Sequence, residues 1–211
     1  MKLNLNELKK YVNDNVPLPK DTCNIAAKNG QLDCLRFAHI NNCPWDEWTC
    51  AYAAQGGHLE CLKYLHDEGC PWNETTCDYA ASKGQLVCLQ YARSNDCPWD
   101  ETTCRLAAMG GHLNCLKYAY ENNCPWDNWT CKGAAASGHL NCLVYARDRK
   151  CPWNEKICEY SAMFGHLNCL KYARENGCPW IEKDTYKAAV KNGHLNCIEY
   201  INKNGLNKNN L

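Results

Sequence analysis

The sequence has no surplus of charge: 23 lysines and arginines stand against 23 aspartates and glutamates, so the formal net charge is zero. A chain without a strong field attracts neither nucleic acid nor an anionic membrane surface, and both are set aside as partners. No apolar run approaches the length that spans a bilayer. The opening stretch MKLNLNELKKYVNDN is broken by charged residues and asparagines, so it lacks the uninterrupted hydrophobic region of a signal peptide. Together these absences predict a soluble, cytoplasmic protein. Chemistry is sparsely marked as well. There is no glycine-rich phosphate loop and no irregular insertion placing a pair of carboxylates, so no catalytic residue and no cofactor is expected.

Cysteine, in contrast, is abundant, with nineteen in 211 residues. In a small secreted protein such a count suggests disulfides, but here the missing signal argues for reduced thiols, and an odd number cannot all pair. Self-comparison accounts for them. The tripeptide CPW recurs at Cys43, Cys70, Cys97, Cys124, Cys151 and Cys178, every 27 residues. The repeats run 43–69, 70–96, 97–123, 124–150, 151–177 and 178–205, the last with one extra residue, and a diverged copy occupies 16–42. That makes about seven repeats in one array. Residues 1–15 read as a capping helix with Leu5, Leu8 and Tyr11 turned inward, and residues 206–211 as a polar tail. Besides opening CPW, cysteine recurs seven residues later, from Cys23 and Cys50 to Cys158, and in the GHL-x-C segment, from Cys34 and Cys61 to Cys197.

Each unit predicts a helical hairpin. Asp46, Asn73, Asp100, Asp127 and Asn154, which follow the tryptophans, are good helix N-caps. Cys50, Ala53 and Ala54 then form a narrow face of small residues at i, i+3 and i+4, and Gly57 and its equivalents end the first helix. A second helix from about Leu59 to Asp67 carries the apolar residues Leu59, Cys61, Leu62, Tyr64 and Leu65. One hairpin cannot cover its own apolar face, so the units must stack.

The segments T-x-x-A-A-x-x-G-H-L-x-x-L, as in Thr49 to Leu62 and Thr130 to Leu143, resemble the ankyrin repeat over nearly the whole chain. In particular, the array looks like the short CPWD-type ankyrin repeats of giant DNA viruses of amoebae and some protists. The resemblance implies an all-α, ankyrin-like solenoid of helix-turn-helix units with shortened loops. It also implies a protein-binding role, with a host factor as partner and the host cytoplasm as compartment if the source is viral. Cys50 and Cys61 would take core positions of the family, and Trp72 that of a buried valine. The period of 27 is about six residues shorter than the usual 33, which removes most of the loop that forms the family's projecting hairpin. The TPLH proline and histidine are absent, so the family's hydrogen-bond network at the start of the first helix is not assumed.

The cysteines admit two readings. Three thiols and a histidine per unit superficially match a zinc site, but the spacings of about seven, nine and eleven do not fit tight ligand pairs. Val16, Tyr186, Gln31 and Gln85 also stand in ligand columns. A small buried hydrophobe at an inter-repeat seam fits better, and no metal site is assigned. A Cys–His nucleophile, as in His112 with Cys115, would have to recur in five units, which suits a scaffold position and not an active site. The CPW tryptophans read as a packing ladder. Function then falls to the first-helix columns that vary between repeats. Trp48 and Trp129 stand where other units have Thr75 and Thr102, and with Tyr52, Tyr79, Arg105, Lys132 and Tyr160 they are the partner-binding candidates on a concave first-helix surface. The expected function is a monomeric, non-enzymatic scaffold for an unidentified protein. The alternative is a cysteine-based metal-binding or redox protein.

Overall fold

The computed structural model describes residues 2–204 and, among them, fifteen α-helices and no strand. The chain divides into two compact units, one ending at Thr103 and one beginning at Cys104. The first holds α1 (Leu5–Asn13), α2 (Thr22–Lys28), α3 (Leu32–Ile40), α4 (Glu47–Gly56), α5 (Leu59–Asp67), α6 (Glu74–Ser82) and α7 (Leu86–Ser94), and α8 (Glu101–Met109) runs across the division. The second continues with α9 (Leu113–Glu121), α10 (Asn128–Ala136), α11 (Leu140–Asp148), α12 (Lys156–Met163), α13 (Leu167–Glu175), α14 (Glu182–Lys191) and α15 (Leu195–Asn204). From α2 onward even-numbered helices are the first, and odd-numbered helices the second, of a hairpin. The polar tail expected at 206–211 lies outside the described residues.

The first helices begin where their caps dictate. Carboxylate or amide oxygens of Asp46, Asn73, Asp100, Asp127 and Asn154 accept from the backbone N–H two residues on, at 3.1, 3.0, 2.7, 2.9 and 3.1 Å. These bonds occupy amide hydrogens that the helix itself leaves unpaired. In α4 the Thr49 hydroxyl also accepts from the Asp46 N–H at 3.1 Å, closing a capping box. The helix ends at Gly57, left-handed with φ 73°, after which the His58 N–H reaches the Ala53 carbonyl at 2.9 Å. The second helices stop the same way. Here the left-handed residue is Asn42, Gly69, Asp96, Asn123, Lys150 or Gly177, and the following CPW cysteine donates its N–H five residues back, as from Cys70 to Leu65 at 2.8 Å. The CPW cysteine is therefore a helix terminator as well as a core residue. Only residues 68–73 then link α5 to α6, and among the described residues no hairpin projects from such links.

Within each unit the first helices pack closely on one another, α2 on α4 on α6 and α10 on α12 on α14. The small-residue face makes this possible: Cys50, Ala53, Ala54 and their equivalents Cys131, Ala134 and Ala135 are fully buried. Second helices contribute the larger Leu35, Leu62, Leu89, Leu116, Leu143 and Leu170, also fully buried. At the amino-terminal end α1 packs on α3. Leu8 is buried and Leu5 half-buried, but Tyr11 is 41% exposed, which corrects the inward placement expected for it. The docked face runs through Leu5, Leu8 and Val12, and Tyr11 lies one step round the helix. Gln31 fastens this cap, accepting from the Leu3 N–H at 2.7 Å and donating to the Leu3 carbonyl at 2.8 Å.

A buried threonine at the start of the first helix reaches into the preceding repeat. Thr49 donates to Asn24 Oδ1, and Thr103 donates to Asp78 Oδ1 at 2.6 Å. For Thr76 and Thr130 the equivalent acceptor positions hold Ala51 and Arg105, and among the described residues their hydroxyls have no partner. Lys132 has the same position ahead of Ile157, which needs no acceptor. Replacing an unpaired buried hydroxyl by a methyl group removes a desolvation cost, whereas removing a donor from a buried carboxylate adds one. Thr76→Val is therefore expected to leave stability unchanged or raise it by about 1 kcal/mol, and Thr103→Val to lower it by about 1 to 3 kcal/mol, read as denaturation midpoints. Equal losses in the two variants would refute this ladder.

Candidate binding surface

All nineteen cysteines are unpaired by disulfides and buried. CPW thiols donate to the carbonyl of the previous repeat's N-cap residue, Cys70 to Asp46 at 3.3 Å, and Cys97 to Asn73, Cys151 to Asp127 and Cys178 to Asn154 at 3.2 Å each. The first-helix cysteines Cys77, Cys104 and Cys131 lie beside Cys97, Cys124 and Cys151 of the next repeat. Thiol-to-thiol hydrogen bonding and burial push all three far above the ordinary cysteine range. Burial pushes Cys61, Cys88, Cys115, Cys142 and Cys169 in the second helices up to about 11. A buried, protonated thiol is a poor nucleophile and a poor metal ligand. Among the described residues no three His, Cys, Asp or Glu side chains come together as a metal would need.

The GHL histidines are occupied structurally. Nε2 of His58, His166 and His194 lies 3.2, 3.0 and 2.9 Å from the carbonyls of Lys28, Ala136 and Met163 in the preceding repeat. Each ring covers the preceding turn, where a β-carbon on Gly30, Gly138 or Gly165 would collide with it. These histidines clamp neighbouring repeats, and in the second repeat's turn Gln85 covers Gly57 in the same manner.

On the second-helix side the CPW tryptophans are half-buried, not enclosed. Each is covered on one face by the residue six positions before it. His39 stacks on Trp45 at 3.7 Å, His66 on Trp72 at 4.1 Å and Tyr120 on Trp126 at 4.0 Å between centroids. Arg93, Arg147 and Arg174 lie over Trp99, Trp153 and Trp180 at 4.5, 4.3 and 3.9 Å. Trp45, Trp72, Trp126 and Trp153 also meet the edge-on ring of Tyr64, Tyr91, Tyr145 or Tyr172 in the next second helix. Sequence reading missed these partners, although their column reads His, His, Arg, Tyr, Arg, Arg, every member planar, at constant distance from a tryptophan.

On the first-helix side the candidates gather into two clusters. In the first unit Trp48, 39% exposed, meets Tyr79 edge-on at 6.0 Å, and Tyr52 lies 6.4 Å from both. Lys28 approaches the Tyr52 ring to 5.5 Å. In the second unit the ammonium of Lys132 lies 3.5 Å from the centroid of Trp129, which is 48% exposed, and 4.3 Å from that of Tyr160. Tyr160 stacks on Phe164 at 6.1 Å, an exposed ring the sequence reading passed over. Arg105 is half-buried on α8 and joins neither cluster among the described residues. The variable column that holds Ala51, Asp78, Arg105 and Lys132 is only partly surface: Ala51 is fully buried, and Asp78, 8% exposed, serves Thr103.

Comparison with known proteins agrees with this architecture. Residues 23–66 match the family model "Ankyrin repeats (many copies)". No curated protein sequence matches the chain. Among solved structures, the crystal structure of the human ASB11 ankyrin repeat domain superposes with a TM-score of 0.63 at 16% identity, covering 74% of this chain and 84% of that one. The chain has the ankyrin-repeat fold. Its ankyrin units put Cys50 and Cys61 in buried positions, as the resemblance implied, whereas Trp72 is half-buried where the family would bury a valine. The stitches between these ankyrin repeats are the threonine ladder, the thiol-to-carbonyl bonds and the histidine clamps.

The raised thiols give the fold a pH dependence of known sign. The unfolded chain loses thiol protons from about pH 8.5, whereas the folded second-helix thiols hold theirs to about 11. Stability from these groups is complete below about pH 8.5 and declines as pH rises toward about 11. Denaturation midpoints falling steadily from pH 8 to 10, with native thiols inert to an aromatic disulfide reagent, are the expected result; a flat profile would contradict the buried-thiol core.

Proposed function

We propose that this chain is a non-enzymatic protein-binding scaffold that engages a protein partner through its first-helix surface. Ankyrin arrays generally mediate protein interactions, and in this one the buried thiols and clamped histidines are committed to the scaffold. The carrying observation is the pair of exposed aromatic clusters around Trp48 and Trp129. Stacking of the repeats does not call for a tryptophan there, because the same position holds Thr75 and Thr102 in the third and fourth repeats. Large aromatic side chains half out of water, joined by tyrosines and a lysine, have the composition of interface hot spots. With a balanced net charge, a protein is preferred to a nucleic acid as partner. A reducing compartment such as the cytoplasm suits nineteen free thiols, and a monomeric chain suits an open binding face.

The test is affinity capture with the wild-type chain and with Trp48→Thr and Trp129→Thr, which install residues other repeats carry. Each substitution is expected to weaken the captured complex by about 30-fold, the equivalent of about 2 kcal/mol, with the thermal midpoint unchanged. Undiminished binding by the double variant, or a large drop in the midpoint showing that the tryptophans hold the fold, would overturn the reading.

A further inference from the structure

The two clusters occupy the same place in their repeats but differ in what fills them. Trp48 corresponds to Trp129, Ala51 to Lys132, Tyr52 to Gly133 and Tyr79 to Tyr160, each pair 81 residues, or three repeats, apart. In the second unit, glycine at 133 leaves out the third ring, and Lys132 sets its ammonium against both remaining rings, 3.5 and 4.3 Å from their centroids. The Trp/Tyr pair at this position is thus shown by the chain itself to receive a cation. In the first unit the lysine position is Ala51, fully buried and without charge, and the third ring, Tyr52, completes an aromatic triad. The one cation drawn to that triad among the described residues is Lys28, 5.5 Å from Tyr52. No cation of the described chain lies over Trp48 or Tyr79, whose π faces carry the negative potential that attracts one.

We propose that the Trp48–Tyr52–Tyr79 triad receives a lysine or arginine side chain of the protein partner, which supplies there what Lys132 supplies to Trp129 and Tyr160. The inference rests on the protein-binding reading and gives it a chemistry. The Trp129 cluster already holds Lys132 against both of its rings, so a second cation there would meet a like charge. The two tryptophans therefore contact chemically different parts of a partner.

The test follows the indole N–H signals by NMR during titration with N-acetyl-lysine methylamide, N-acetyl-arginine methylamide and the neutral N-acetyl-norleucine methylamide. The expected result is a saturable shift of the Trp48 signal with both cations, at least fivefold weaker with the neutral probe, and none at Trp129. Ala51→Lys, which copies the fifth repeat, is expected to abolish the Trp48 response, and Lys132→Ala to create one at Trp129. Because Ala51 is buried, Tyr79→Leu, which installs the residue of the next repeat, is a second route and should weaken binding at least fivefold. No saturable shift at Trp48, or an equal one with the neutral probe, overturns the proposal. A partner that is lost with Trp48→Thr but retained with folded Ala51→Lys also overturns it and leaves the binding surface standing; a partner indifferent to Trp48→Thr refutes the surface itself.

Discussion

Close approach of successive first helices is the constraint on which the rest depends. Each hairpin is too small to bury its own apolar face, so a neighbour must come near enough to cover it, and side chains larger than cysteine or alanine would hold it off. This explains the use of cysteine better than any chemistry of the thiol. Cysteine fills the seam at Cys50, Cys77, Cys104, Cys131 and Cys158, and at the CPW position its weak S–H donor adds a second bond to a carbonyl that already accepts a backbone N–H, linking one repeat to the next. Once the helices are close, backbone and side-chain polar groups of adjacent repeats fall within reach of one another, and the histidine clamps and threonine bonds follow.

Much of this was legible in the sequence because the signals are local and repeated. Asp and Asn caps act two residues away, and glycines that end the first helices need no tertiary context. The stop of the second helix was harder to read, because four of the six left-handed residues preceding a CPW cysteine are Asn, Asp or Lys instead of glycine. The tryptophan partners were hidden for a related reason: His, Arg and Tyr look like an unconstrained column until the ring at i+6 shows that planarity is what they share. Tyr11 was misplaced because a helix only nine residues long offers two plausible apolar stripes, and only the position of α3 selects between them.

The candidate site was read from variation, and the structure shows where that logic needs correction. Variation in the column of Ala51, Asp78, Arg105 and Lys132 has two causes. Where the next repeat begins with a buried threonine, the column can serve as its acceptor, as Asp78 does for Thr103. Where it does not, the position is released to the surface or closed, and the threonine bears the consequence, as Thr76 does behind Ala51. A sequence shows that such a column changes but not which of its members face inward. Trp48 and Trp129 do lie exposed, since a tryptophan replacing a first-turn threonine cannot be absorbed by a seam built for small residues.

Lys132 joins the two causes. Ahead of it in the following repeat stands Ile157, the one internal departure from threonine in its column, so no hydroxyl is left wanting an acceptor and the lysine is free to turn toward Trp129 and Tyr160. Ala51 lacks that compensation, since Thr76 remains a threonine without a partner. An unpaired buried hydroxyl costs about 1 to 3 kcal/mol, and an acceptor at position 51 would remove that cost. Stability alone therefore favours asparagine or aspartate there. What alanine shares with those two, and not with the lysine of the fifth repeat, is that it leaves the neighbouring triad of Trp48, Tyr52 and Tyr79 without a built-in cation, as a surface that meets a partner's cation requires.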